Sequence, residues 1–317
     1  MNPAPFLVSF VSSEAYLSSL DEYHRDIYRP VLQSFCDKNL PPVISPAALA
    51  VLFGYSPKFI HAMSEKNTNY YRSFNIKKGK KTREIRAPKV ALKVIQKWFG
   101  HHLSNSVEFG KEVCGFVPGR SVLTAANQHV NAKWVYSVDI RDFFPSIPRA
   151  TVQEELVKLG YPESGAAVIA KLCCFGNYLA QGSPASPILA NIVMGEIDKK
   201  ILCLAEKYNA RFTRYADDIV LSGLDEYPDD LANSVKAVFN GTPWSLADDK
   251  EYKSVYPNRL KVHGLLVHGN KPRLTKGYRN KVRAYKYLQR TGKIQDSDQS
   301  KLSGHIGYAD FIEGVND

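Results

Sequence analysis

Apolar and polar positions change their period several times along the chain, and each change marks an element. Residues 1–40 carry apolar side chains at loose helical spacing and predict one or two helices of weak amphipathicity. Ser45-Pro46 and Gly54 bracket an apolar run, the start and stop signals of a short helix, and Ser56-Pro57 repeats the start. "YYRSFNIKKGKKTREIRAP", residues 70–88, has two β-like runs around a Lys/Gly tip and predicts a hairpin. "PKVALKVIQKWFGHHLSNSV" returns to helical spacing. Lys133 to Ile147 opens with strand formers, Trp134, Val135, Tyr136, Val138 and Ile140, until Pro145 and Pro148 stop it. "TVQEELVKLG" and "AAVIAKLCCFG" predict short helices. A Gly/Pro/Ser loop then feeds one long helix with Ile188, Leu189, Ile192, Ile197 and Ile201 on its apolar side. A hairpin over Arg211–Gly223, a helix around Asp230–Phe239, a strand near Trp244–Leu246, another near "RLKVHGLLVH" and a helical tail over 271–293 complete the pattern. This order predicts an α+β fold, an antiparallel sheet with helices on one face, and not a doubly wound parallel sheet.

The Arg211–Gly223 hairpin, "RFTRYADDIVLSG", sets Asp217 and Asp218 side by side among strand formers, where aspartate is depleted. A turn at Ala216–Asp217–Asp218 accounts for them in part, but the favoured two-residue turns need a positive φ and usually carry Gly or Asn. A second reading is that the turn presents carboxylates to a divalent cation, which takes oxygen ligands from one or two carboxylates and substrate phosphates. That reading requires a third acid. Asp139 supplies it, at the end of the strongly β-patterned segment upstream. Carboxylates at such range repel unless cations neutralise them. Two cations about 3.5–4 Å apart would serve an attacking hydroxyl and a leaving pyrophosphate.

Charge agrees with such a substrate. Of the 317 residues, 42 are Lys or Arg against 31 Asp or Glu, a net charge of +11 that favours polyanions, nucleic acid first. The most apolar run, Ala47 to Gly54, is far shorter than the roughly 18 residues of a membrane span. The N-terminus lacks a basic region and soon turns acidic, so no signal peptide is expected. Five cysteines without C-x-x-C spacing argue for a reducing, cytoplasmic setting and against a zinc site. The segment Lys271 to Lys293 holds nine basic residues and no acid, with Tyr278, Tyr285 and Tyr287 interleaved, a composition suited to RNA.

"SVDIRDFFPSI", "QGSPASPILANI" and "RYADDIVLSG", in this order, resemble the palm motifs of reverse transcriptases, and "KKTREIRAP" resembles the fingers segment before them. The combination is most similar to bacterial retron enzymes, with group II intron enzymes next. It runs from about residue 69 to 269, with an echo in "KLSGHIGYADFIEG". The resemblance implies a right-hand polymerase: N-terminal helices and fingers over 1–130, a palm of antiparallel sheet backed by helices over 131–265 (helices 150–180 belonging with the fingers), and a small helical thumb over 266–317. It implies Mg²⁺ held by Asp139 and Asp217 with support from Asp218 and the Ile140 carbonyl. Arg83, helped by Lys78 or Lys80, would grip a dNTP triphosphate. Phe144 would exclude a ribose 2′-OH, although strand alternation alone sets 139 and 144 on opposite faces. Gln181 and Gly182 would contact nucleotide and template. Lys250 or Lys253 would protonate the pyrophosphate. His129 and His263 would touch RNA, although the segments around them, "AANQH" and "VHG", depart from the usual "NAxxH" and "VTG" of retron enzymes. Arg279, Arg283 and Lys286 would join them. The implied partners are a cognate non-coding RNA, its cDNA and an effector protein, in anti-phage defence and without a membrane. Two other functions fit the same motifs: another defence-associated reverse transcriptase, or an RNA/cDNA-binding component that restrains a toxic effector.

Overall fold

The computed structural model describes residues 12–79 and 81–314, without the side chains of Lys78, Lys81 and Asp296. The chain opens with helices α1 (Ser13–Ser18), α2 (Glu22–Asp37), α3 (Pro46–Phe53) and α4 (Pro57–Glu65). Ser45 and Ser56 cap α3 and α4 by accepting from the backbone N–H of Ala48 and Phe59, and Gly54 closes α3 at φ 64°. Strands β1 (Tyr71–Lys78) and β2 (Lys81–Pro88) form a separate antiparallel ribbon, paired from Tyr71–Pro88 to Lys78–Lys81. Then follow α5 (Val90–Ser106), α6 (Val122–Asn127), β3 (Trp134–Asp139), α7 (Arg149–Leu159) and α8 (Glu163–Cys173). The small hairpin β4 (Cys174–Phe175) and β5 (Tyr178–Leu179) leads to α9 (Ser186–Val193) and α10 (Gly195–Lys207). The aspartate hairpin is β6 (Arg211–Tyr215) and β7 (Asp218–Gly223). After it come α11 (Leu231–Val238), β8 (Tyr252–Val255), β9 (Lys261–Val262), β10 (Leu265–Leu266), β11 (Arg273–Leu274), α12 (Lys276–Arg290) and α13 (Asp296–Gly314).

The central sheet has the order β6–β7–β3–β8, with every neighbouring pair antiparallel. Strand alternation divides its side chains between two cores. Trp134, Tyr136, Val138, Ile219 and Leu221 join Ile188, Leu189, Ile197 and Ile201 of α9 and α10 in the larger core. Val135 and Val220 point the other way, into a smaller core with Val262, Leu265, Leu274, Val282 and Ile312. The α+β class and the helix-backed antiparallel sheet are as expected. The expectation of helices on one face alone is corrected: the second face is covered by the β9–β10–β11 sheet with α12 and α13.

Three further readings change. The long helix divides at Met194–Gly195, where a residue of low helix preference opens α10. The strand near Trp244–Leu246 reduces to a single bridge between Leu246 and Ile140. "RLKVHGLLVH" is not one strand: His263 and Gly264 both adopt positive φ, 48° and 84°, and fold it into a tight β9–β10 turn. Strand β8 was not expected at all, because a short, polar edge strand such as "YKSV" has no apolar alternation to announce it. Among the described residues no helix is long and apolar enough to cross a membrane.

Candidate active site

The site is built where β3 ends against the β6–β7 turn. Asp139, the last residue of β3, lies opposite Asp218 in the register, and Tyr215 pairs with Asp218, leaving Ala216 and Asp217 as a two-residue turn. Such a turn needs positive φ, and Ala216 supplies it at 59° without being glycine, at a cost of roughly 1–2 kcal/mol. Two backbone bonds tie the neighbourhood together: Ile140 N–H donates to the Asp217 carbonyl at 2.9 Å, and Ala247 N–H to the Asp139 carbonyl at 2.8 Å.

Burial pushes the Asp139 carboxyl above its ordinary range. A hydrogen bond from Lys250 opposes this, and the nearby charges of Asp217 and Asp218 add to it. The Lys250 ammonium donates to Asp139 Oδ1. Lys253 is elsewhere: its Nζ sits 3.5 Å from the centroid of the Tyr227 ring and it pairs with Tyr136 in the sheet, whereas Lys250 is the lysine that reaches Asp139 and lines the cavity described next. Among the described residues no three His, Cys, Asp or Glu side chains gather as a metal-binding group. Asp218 is engaged by His263, whose Nδ1 lies 3.1 Å from its Oδ2. Asp139 and Asp217 remain as two carboxylates within electrostatic reach of each other, a donor set that fits a hard cation sharing its shell with substrate phosphates.

A cavity of about 820 Å³ adjoins this pair, lined by Ile140, Asp217 and Lys250 on one side and by the β2 ribbon on another. Phe144 stands on its wall. Strand alternation does not govern this position, because the chain turns after Ile140: Asp142 has φ 47°, and Ser146 N–H donates to its carbonyl at 2.8 Å. Both Phe143 and Phe144 border the cavity, Phe143 almost fully buried and Phe144 half-buried with its ring centroid 5.9 Å from that of Phe116. Gln181 and Arg83 also line the cavity. Gly182 is absent from the wall; a Cβ there would meet the Arg86 carbonyl at 2.9 Å, so its small size serves contact with β2. Lys80 and the Lys78 side chain lie outside the described residues.

Both histidines expected to touch RNA lie inside the fold. His129 is fully buried between α6 and the sheet, with Nδ1 2.7 Å from Ser222 Oγ and Nε2 2.8 Å from Thr213 Oγ1. The His263 side chain is 7% exposed and committed to Asp218. Burial pulls the His129 pKa down to about 3 from an ordinary 6.5. Below the unfolded value the unfolded chain binds the extra proton, so stability falls as pH drops from 6.5 toward 3. Between about pH 6.5 and 5 the loss is about 2 kcal/mol. His129→Gln is expected to remove most of that slope in urea titrations at neutral and acidic pH; equal slopes in parent and variant would contradict the assignment.

On α12, Arg279 and Arg283 are exposed, but Lys286 pairs with Asp310 of α13 at 2.7 Å. Tyr278 and Tyr285 turn inward onto His305, with the Tyr278 hydroxyl 2.8 Å from its Nδ1, which leaves Tyr287 as the exposed ring of the three. Sequence reasoning also passed over cavity residues. Phe116, on the irregular loop "CGFVPGRS", has no periodicity to betray it; the signal was an aromatic within a Gly/Pro loop. Arg86, in the second run of the 70–88 hairpin, received no role; its guanidinium lies 4.4 Å from the Phe175 ring centroid and 2.7 Å from Glu84 Oε2.

A strained turn with paired carboxylates thus faces an aromatic wall and an arginine-bearing ribbon across one cavity. The family model for reverse transcriptase (RNA-dependent DNA polymerase) matches residues 76–245, more than half of the chain, and the chain belongs to that family. Its fold is the right-hand reverse transcriptase fold. It is 32% identical over 201 residues to the Retron Ec86 reverse transcriptase of Escherichia coli, covering 62% of this chain and 59% of that protein. The Retron Mx65 reverse transcriptase of Myxococcus xanthus is 34% identical over 198 residues, 56% of this chain and 46% of that one. The Retron Ec73 reverse transcriptase of Escherichia coli is 29% identical over 256 residues, 73% and 79% respectively. The match thus spans about half to three-fifths of the first two relatives. The resemblance to bacterial retron enzymes expected from the motifs is borne out.

Proposed function

We propose that the chain is an RNA-directed DNA polymerase that extends a primer with dNTPs and Mg²⁺ on a cognate non-coding RNA, as a retron enzyme starting from a 2′-OH. The observation that carries this reading is the pairing of Asp139 and Asp217 beside a cavity walled by Phe144 and bordered by Arg83. Asp139 and Asp217 would hold Mg²⁺, with the Ile140 carbonyl next to them. When bound, the metal lowers the pKa of the attacking hydroxyl and neutralises charge on the leaving group. The primer oxygen bonds to the α-phosphorus as the bond to the β-phosphate oxygen breaks. Arg83 suits the triphosphate through its planar fork. Phe144 limits space at the sugar. Lys250 delivers a proton to the departing pyrophosphate. Lys250→Ala is expected to lower kcat about 100-fold, with Lys253→Ala within about threefold of the parent. The reverse order in a single-turnover assay would reassign the proton donor.

The regions 1–130, 131–265 and 266–317 serve in this reading as fingers, palm and thumb. The exposed Arg279 and Arg283 would meet RNA phosphates, and an effector protein and an anti-phage role follow the retron resemblance. The test is to purify the protein and sequence the nucleic acid bound to it. A discrete structured RNA joined to complementary DNA is expected, and neutralising Arg279 and Arg283 together should weaken its binding and flatten its salt dependence. Heterogeneous RNA, unaffected by those substitutions, would count against a dedicated RNA and favour a general polymerase.

A further inference from the structure

Arg214 is charged and fully buried, two residues before the strained Ala216. Its Nε and Nη2 donate to the two carboxylate oxygens of Asp198 on α10, each at 2.6 Å. Its Nη1 donates to Asn191 Oδ1 on α9 at 3.0 Å and to the Ala216 carbonyl at 3.1 Å. Asn191 Nδ2 in turn donates to the Gly115 carbonyl at 2.9 Å. The Cys114 and Gly115 N–H groups donate back to the Arg214 carbonyl at 2.8 and 3.3 Å. A Cβ at Gly115 would lie 2.3 Å from the Ala216 nitrogen, so the 114–116 loop and the aspartate turn sit back to back with no room between them. Each carries one non-glycine residue at positive φ, Phe116 at 62° and Ala216 at 59°.

A buried ion pair adds little net stability compared with apolar packing. What this one adds is geometry: a planar fork bonds three partners at once from fixed directions. The loop on one side presents Phe116, which packs on Phe144. The turn on the other presents Asp217.

We propose that Arg214, oriented by Asp198 and Asn191, is a positioning residue that fixes the Asp217 turn and the Phe116–Phe144 wall relative to each other. The inference rests on the polymerase reading. It gives one buried network control of both nucleotide transfer and sugar choice.

Arg214→Lys keeps a positive charge beside Asp198 but loses the fork. Asn191→Ala cuts the link to Gly115 and leaves the ion pair. For each, kcat and KM for dNTP, the ratio of ribonucleotide to deoxynucleotide use, and the active fraction from burst amplitude are measured beside thermal melting. Arg214→Lys is expected to lose about 100-fold in kcat per active site, the scale of a misplaced reacting group, with KM within about threefold. Its relative use of ribonucleotides should rise about tenfold, and Asn191→Ala should lose about tenfold in kcat per active site and gain about threefold in relative ribonucleotide use. A merely structural role would lower melting temperature and active fraction while kcat per active site and sugar ratio stayed parental, and that result overturns the proposal. If Arg214→Lys does not fold, Asn191→Ala decides alone. An inactive parent overturns the polymerase reading, and this inference with it; an active parent with indifferent variants overturns the inference alone.

Discussion

Asp217→Asn is expected to abolish dNTP incorporation, by at least about a thousandfold or about 4 kcal/mol of barrier, while the protein stays folded. Asparagine keeps the shape of the turn residue and removes its charge. The backbone bond from Ile140 N–H to the Asp217 carbonyl does not depend on the side chain. Stability should hold or rise, because the Asp217 charge is one of the influences that raise the Asp139 carboxyl. Asp139→Asn should be equally inactive, since it removes the other carboxylate and the partner of Lys250. Incorporation measured beside a thermal melt separates the two effects. Activity within about tenfold of the parent would sink the carboxylate assignment.

Phe144→Ala is expected to raise ribonucleotide use relative to dNTP by about 10–100-fold, on the scale of 1–3 kcal/mol for space opened in a pocket. Phe144 stands on the cavity wall, packed against Phe116 of the same wall, and the substitution leaves both carboxylates untouched. The measurement is kcat/KM for paired ribo- and deoxynucleotides. A parental ratio would make Phe144 a packing residue and remove the steric account of sugar choice.

What could be read beforehand was local. Two aspartates among strand formers, and a third at the end of an apolar strand, identified the turn and its partner without any knowledge of the fold. The helices capped by Ser45 and Ser56 and the β1–β2 ribbon carry their signals within a few residues. What stayed hidden depended on distant segments. His129 is enclosed by Thr213 and Ser222, more than eighty residues away, and no local pattern reports that. The choice between Lys250 and Lys253 needed the β3–β8 register, which fixes Lys253 beside Tyr136. Phe144 came from the motif, against alternation, and the turn at Asp142 accounts for its place on the cavity wall. Arg214 reads in sequence as one more strand residue; only the packing of α9, α10 and the 112–115 loop around it makes its burial visible.

The most direct test of the central claim is primer extension on an RNA template of defined sequence, with four dNTPs and Mg²⁺, followed by sequencing of the product. The account predicts DNA complementary to the template, made by the parent and missing with Asp217→Asn. No extension, a product whose sequence ignores the template, or undiminished synthesis by Asp217→Asn would contradict it.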